Sequence, residues 1–314
     1  MYRVEELIIS KFTEIAKKIT GRNLLIFIPS AWIVLFFIFP CLILIKISLS
    51  DSQLASPPYT NLVEWLSGSV LQIRLNLGNY LGLFTEEMYV KGFISSIFLA
   101  GASTICCLLI GFPMAYAIAK SSRENRNILL MLVVLPFWTS FLIRIYAWIL
   151  LLSPSGIINN MLMKLQFIDF PLPLINNSYA ACTGIIYAYL PFMIFPLYSA
   201  IEKIDFTLIE AAYDLGSSPI TAFFSIVTPL AAPGIYAGSA MVFVPAIGEF
   251  VIPELLGGAQ TLTIGRLVWN EFFSNLCWPT AAALSIILLM FIVLPVTFKQ
   301  RSSDNNGDHI LKDR

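Results

Sequence analysis

The chain has 314 residues, of which 58% are hydrophobic and only 12% charged, with a mean hydropathy of +0.81. A soluble domain is nearer about one-quarter charged, so too few charges are present to cover a globule this apolar with water, and a water-soluble fold is excluded in favour of a polytopic membrane protein. Lys and Arg together number 19, as do Asp and Glu, so the net charge is zero and no bulk field points to nucleic acid.

Taken in chain order, the first 23 residues mix charge with apolar groups and read either as an amphipathic helix on the membrane surface or as a basic tail. Six apolar stretches follow, each near the roughly 20 residues that cross about 30 Å of hydrocarbon. They are Leu24–Leu49, Phe93–Ala119, Ile128–Leu152, Tyr179–Ile201, Ile235–Ile252 and Thr280–Phe298, and the fifth is short and interrupted by Pro245 and Gly248. The predicted fold class is therefore all-α, with a six-span domain over 24–298, a cytoplasmic N-terminal segment over 1–23 and a cytoplasmic tail over 299–314. The first span is too long for the core of a cleaved signal peptide.

The positive charges set the orientation, because Lys and Arg stay on the cytoplasmic side. Arg3, Lys11, Lys17, Lys18 and Arg22 precede the first span; Lys120, Arg123 and Arg126 follow the second; Lys203 follows the fourth; and Lys299, Arg301, Lys312 and Arg314 close the chain. The opposite side holds only Arg74, Lys91, Lys164 and Arg266. Both termini are thus expected in the cytoplasm, in an inner (plasma) membrane. On the outer side, Asp51–Val90 is the longest loop, and Gly156–Leu162 within the next outer loop predicts a short helix.

The chemistry this chain lacks is also legible. Cys41, Cys106, Cys107, Cys182 and Cys277 form no CxxC pair, and the single histidine, His309, lies in a polar tail. A His/Cys metal site and a Ser-His-Asp triad lack their parts. The sequence holds neither GxxxxGK[ST] nor GxGxxG, so it has no phosphate loop of its own. No metal, cofactor or catalytic residue is expected.

The fourth cytoplasmic loop, Glu202–Pro233, is far longer than a connector needs. Asp205 or Thr207 can cap a first helix, and Thr207 with Glu210 has the spacing of a capping box. Gly216 suits the left-handed position that ends a helix, and Ser218-Pro219 opens a second one that runs to Pro229. The loop predicts a helix–turn–helix unit. Either it docks into a groove of another protein or it lies on the membrane and merely joins two spans.

Glu210-Ala211-Ala212, three residues, Gly216, nine residues, Ile226 and then Pro229 resembles the EAA loop of importer-type ABC permeases, departing from the pattern only at Thr228, where a Leu is usual. The likeness runs from about Asn79 to Gln300, and the runs Leu135–Trp148 and Val244–Gly258 are similar to the permeases of spermidine/putrescine importers. The resemblance implies a type I importer permease whose loop, through Glu210, Ala211, Ala212, Gly216, Ile226 and Pro229, seats on a cytoplasmic ATPase subunit present in two copies. It further implies a sister six-span permease completing a heterodimeric pore, a periplasmic polyamine-binding protein, lipid as the surrounding partner, and no nucleic acid.

For a polycationic cargo the candidate path residues are Glu249 and Glu254, which offer carboxylate oxygens to ammonium donors, and the aromatics Trp138, Tyr146 and Tyr189. The competing reading of Glu249 is a structural ion pair with Arg144. At the level of function the competitors are the same permease carrying another small cation, a stand-alone secondary transporter, and a membrane enzyme. The last would need clustered acid, base or metal-ligating groups, which the sequence does not show.

Overall fold

The computed structural model describes residues 21–66 and 70–293, with side chains at 25–62 and 74–293. The expectations for the N-terminal segment before residue 21 and for the tail therefore lie outside the described residues.

In order, the elements are α1 (Gly21–Ile33), a π turn at Val34–Ile38, α2 (Phe39–Ser48), the strands β1 (Val63–Leu66) and β2 (Val70–Ile73), α3 (Gly78–Thr85), α4 (Glu87–Lys120), α5 (Arg123–Val134), a 3₁₀ turn at Leu135–Trp138, and α6 (Phe141–Leu152). They continue with α7 (Ile157–Lys164), α8 (Ser178–Ile201), α9 (Thr207–Asp214), α10 (Pro219–Ala222), a π turn at Phe223–Val227, α11 (Thr228–Leu230), α12 (Ala232–Ile247), α13 (Val251–Leu256), α14 (Ile264–Trp269) and a π turn at Asn270–Ser274. A last apolar helix, α15, spans Trp278–Val293. Among the described residues the fold is helical except for one antiparallel hairpin, β1–β2, registered Val63 to Ile73 and Leu66 to Val70. The sequence pattern did not announce that hairpin.

Two compact units divide the described residues: 21–79 with Cys277–Ile286, and Tyr80–Leu276 with 287–293. In the first, the apolar run Leu25–Ser48 has a mean hydropathy of 2.5 and stays exposed along most of its length. Such a helix requires an apolar surround. The loop after it is tied by Asn79, whose Nδ2 donates to the Ser48 and Ser50 carbonyls at 2.8 and 2.9 Å, and by Asn76, which donates to Asp51.

The second unit is built on α4, α8 and α12, which pack against one another. In lipid, helices gain no hydrophobic drive by meeting, so close contact through small residues does the joining. Met193 of α8, fully buried, shows how. A Cβ on Gly238 of α12 would lie 2.8 Å from its Sδ, and one on Gly111 of α4 3.1 Å from its Cγ. The notch at Gly238 is filled from within the chain, whereas Gly101 has no atom within 4 Å of its notional Cβ.

Among the described residues, four helical segments are long and apolar enough to cross a membrane: Leu25–Ser48, Glu87–Lys120, Phe141–Lys164 and Ser178–Ile201. A fifth arises if Pro219–Leu230 and Ala232–Ile247, bent by 70°, count as one. The expected sixth span corresponds to α15, which is shorter over its described part and runs toward residues outside it. The expected third span, Ile128–Leu152, is not a single helix. After the 3₁₀ turn at Leu135–Trp138 the backbone leaves the helical region at Thr139 (ψ 152°) and Ser140 (ψ 136°), so α5 and α6 are separated and the apolar run continues into α7 instead. The expected outer helix at Gly156–Leu162 is present as α7.

Candidate functional site

The hairpin between α8 and α12 starts with a cap. Asp205 Oδ1 accepts from the Thr207 N–H at 3.0 Å. That N–H, and after it the Thr207 hydroxyl, hold the exposed Asp205 carboxyl below the usual aspartate range. Of the two caps the sequence offered, the structure uses Asp205. Thr207 is already the first helical residue, so the expected Thr207/Glu210 capping box does not form; Phe206 occupies the cap position and lacks a side-chain acceptor.

The other end follows the expectation closely. Gly216 has φ +86°; its N–H donates to the Tyr213 carbonyl at 2.9 Å, and Ser217 N–H reaches back to Ala212 at 2.9 Å, the paired bonds of a Schellman stop. Ser218 Oγ then accepts from Thr221 N–H at 3.2 Å and Pro219 takes the first turn of α10. Nothing lies within 4 Å of where a Gly216 Cβ would stand, so the glycine is required by backbone conformation and not by crowding.

The unit is fastened at its root. Phe223 meets Phe112 and Tyr116 of α4 edge-on, at 5.0 and 5.8 Å between centroids. Ile209, Ala222 and Val227 are buried in the same cluster, with Ala212 and Ile226 packed against it. Arg126 Nη1 pairs with Glu202 at 2.7 Å while its Nη2 donates to the Ala119 carbonyl at 2.8 Å, tying the end of α4 to the end of α8. Thr228, the departure from the EAA pattern, donates its hydroxyl to the Phe223 carbonyl at 3.1 Å across the π turn. At the tip the situation reverses: Leu215 is 88% exposed, and Ile220 and Phe224 are also exposed, as are Glu210, Ala211 and Pro229. The elbow thus combines a packed root with a bare apolar tip.

The second constellation lies where α12 gives way to α13. Pro245 and Gly248 end α12, and Glu249 and Phe250 cross the gap. Glu249 Oε1 accepts from the N–H groups of Val251 at 3.0 Å and Ile252 at 3.4 Å, and Oε2 accepts from the Tyr189 hydroxyl at 2.6 Å. The turn is covered by the start of α14. A Cβ on Gly265 would fall 2.4 Å from the Gly248 carbonyl oxygen, so only glycine permits that approach. Thr263 Oγ1 donates to the Glu249 carbonyl at 3.4 Å. Freed backbone groups in a broken span are thus partly satisfied by the next helix.

The structure therefore joins two of the expected path residues, Tyr189 and Glu249, and distributes the others. Glu254 pairs with Arg266 at 2.5 Å, and Arg266 also donates to the Gly258 carbonyl at 2.6 Å. Trp138, 80% exposed, lines a cavity of about 300 Å³ with Leu130, Met131, Val134, Leu135 and Phe195. Tyr146 is exposed on α6. Neither Trp138 nor Tyr146 hydrogen-bonds Glu249 among the described residues. The alternative pairing of Glu249 with Arg144 is not made. The Arg144 guanidinium instead lies 5.0 and 5.8 Å from the ring centres of Phe137 and Phe141.

Sequence reasoning passed over one acid. Glu271, 5% exposed, accepts from the Tyr89 hydroxyl at 3.0 Å and from Asn275 Nδ2 at 3.0 Å. Beside it, Trp269 stacks on Phe250 at 4.6 Å and 14°. The signal was a single carboxylate amid aromatics in a stretch assigned to an outer loop.

An exposed helical elbow joined to a bundle of apolar helices, one of them interrupted at Glu249, fits a class of membrane transport subunit. Residues 108–300 match the family described as binding-protein-dependent transport system inner membrane component, and the chain belongs to that family. Within it, the chain is 37% identical to the spermidine/putrescine transport system permease protein PotB of Haemophilus influenzae, over 87% of this chain and 91% of that protein. It is 38% identical to PotB of Escherichia coli K12, over 87% and 94%. A bacterial ABC transporter that imports the acidic polysaccharide alginate contains a chain of the same fold, with TM-score 0.65 at 18% identity over 96% of this chain and 99% of that one. The fold is therefore that of an ABC importer permease.

Proposed function

We propose that this chain is one of two pore-forming permease subunits of an ATP-driven polyamine importer. It lies in the inner membrane with both termini in the cytoplasm. A sister six-span permease completes the pore, two cytoplasmic ATPase subunits power it and a periplasmic polyamine-binding protein delivers the cargo. The observation that carries the reading is the elbow at 202–233: its packed root would transmit motion to α4 and α8, and its bare tip at Leu215 and Ile220 offers a groove-filling surface. Closure of the ATPase pair would draw the elbows together and rock the bundles between inward-open and outward-open arrangements. Glu249, held by Tyr189, is the carboxylate a substrate ammonium would meet.

Reconstitution decides the reading. The chain, purified with its companion permease, ATPase and receptor, should take up spermidine or putrescine into proteoliposomes only with ATP and receptor present. Uptake by this chain alone would instead make it a secondary transporter. Cysteines placed at 121–127 should react with an impermeant reagent only from the cytoplasmic side, and labelling from outside would reverse the topology.

A further inference from the structure

Arg144 sits in an apolar helix, and a charge there ordinarily faces protein or a water-filled path and finds a partner. Among the described residues no carboxylate pairs with it, and its Nε is buried without a hydrogen-bond acceptor. What it has is aromatic. Its guanidinium lies 5.0 Å from the Phe137 ring centre; Phe137 meets Phe192 edge-on at 5.5 Å; Phe192 lies 6.1 Å from Tyr189; and the Tyr189 hydroxyl donates to Glu249 at 2.6 Å. One unbroken strip of rings thus runs from a fixed positive charge to a fixed carboxylate. It bridges the α5–α6 break and the α12–α13 break.

Aromatic faces and a carboxylate attract alkylammonium groups, while a guanidinium repels them. A diamine can settle one ammonium at Glu249 and lay its methylenes along the rings. Each additional ammonium farther along the strip must approach Arg144. We propose that Arg144 is a specificity-determining residue that limits how many ammonium groups the path accepts, favouring shorter, less charged polyamines. This rests on the assignment of Glu249 and Tyr189 to the cargo path.

The test uses the complete reconstituted transporter and ATP-driven uptake of labelled putrescine, with two ammonium groups, and spermidine, with three. R144Q should raise the spermidine-to-putrescine uptake ratio about three- to tenfold while putrescine uptake is retained, and R144K, which keeps the charge, should leave the ratio within about twofold of the parent. An unchanged ratio in R144Q overturns the proposal. So does loss of the sister permease from purified R144Q with its retention in R144K, because Arg144 would then pair with a carboxylate across the subunit interface. Failure of the parent transporter to take up either polyamine would overturn the cargo reading itself, an outcome that no Arg144 variant is needed to recognise.

Discussion

The elbow and the broken span solve opposite problems. The elbow is largely exposed and is stiffened by local backbone devices: an Asp205 cap, a Gly216 stop and a Ser218 cap. Its apolar groups divide into a buried root and a bare tip. The break at Glu249 lies in an apolar segment, where an unsatisfied polar group is costly, and beside the local N–H groups of Val251 and Ile252 its devices are long-range: Tyr189 from α8, Gly265 of α14 and Thr263 at its cap. The exposed elbow is shaped mainly by neighbours in sequence, and the polar gap in the helix also by neighbours in space.

The largest expected effect breaks the elbow's side of this comparison. At φ +86° a β-branched residue is strained by about 1–2 kcal/mol or more, with no crowding to share the blame. G216V should reduce ATP-driven uptake at least about tenfold while ATPase activity and membrane insertion persist, since a misdirected tip no longer transmits motion. Normal uptake in G216V would detach the turn from coupling.

Next comes E249Q. Glutamine keeps an oxygen to accept from Val251 and Ile252, so the break should hold, but the charge is gone. Uptake of polyamine should fall about tenfold with the complex still assembled, as the lost attraction of one carboxylate for an ammonium predicts. Unchanged uptake would remove Glu249 from the path and leave it a purely local cap.

Y189F sharpens the same region with a smaller effect. Removing the hydroxyl frees one carboxylate oxygen of Glu249 without removing charge, and a two- to fivefold change in uptake is expected, on the order of 1 kcal/mol for one hydrogen bond. If Y189F equals E249Q in loss, the pair acts as a unit.

The smallest effect is on pH. Asp205 is depressed in the folded elbow, so its cap is whole above the ordinary aspartate range and fades only as pH falls through that lowered value. Amides of α9 should exchange faster below that point in the parent, and D205N should flatten the dependence. Equal exchange in both at all pH would show that the cap contributes nothing.

The two regions also differ in how far the sequence disclosed them. Gly216, Ser218 and Pro219 were legible because each acts on the backbone within a few positions. Asp205 was legible only as one of two caps, because Asp and Thr two residues apart offer equivalent acceptors until the chain's entry angle is known. Glu249 was legible as an acid in an apolar run, yet its partner was not. Arg144 was the nearest charge to suggest, whereas a tyrosine hydroxyl 60 residues away supplies the bond. Glu271 went unread because nothing in sequence separates a buried loop carboxylate from a solvated one.

Composition and local pattern determined that this chain lives in lipid, where several of its apolar helices run and where the elbow turns, because hydropathy, caps and φ are properties of neighbouring residues. Tertiary structure alone decided that Met193 would fill the notches of Gly111 and Gly238, that Glu254 would be neutralised by Arg266, and that Arg144 would rest on phenylalanine rings. Those choices depend on which helix faces meet. In an apolar medium, where hydropathy no longer separates inside from outside, only packing geometry selects them.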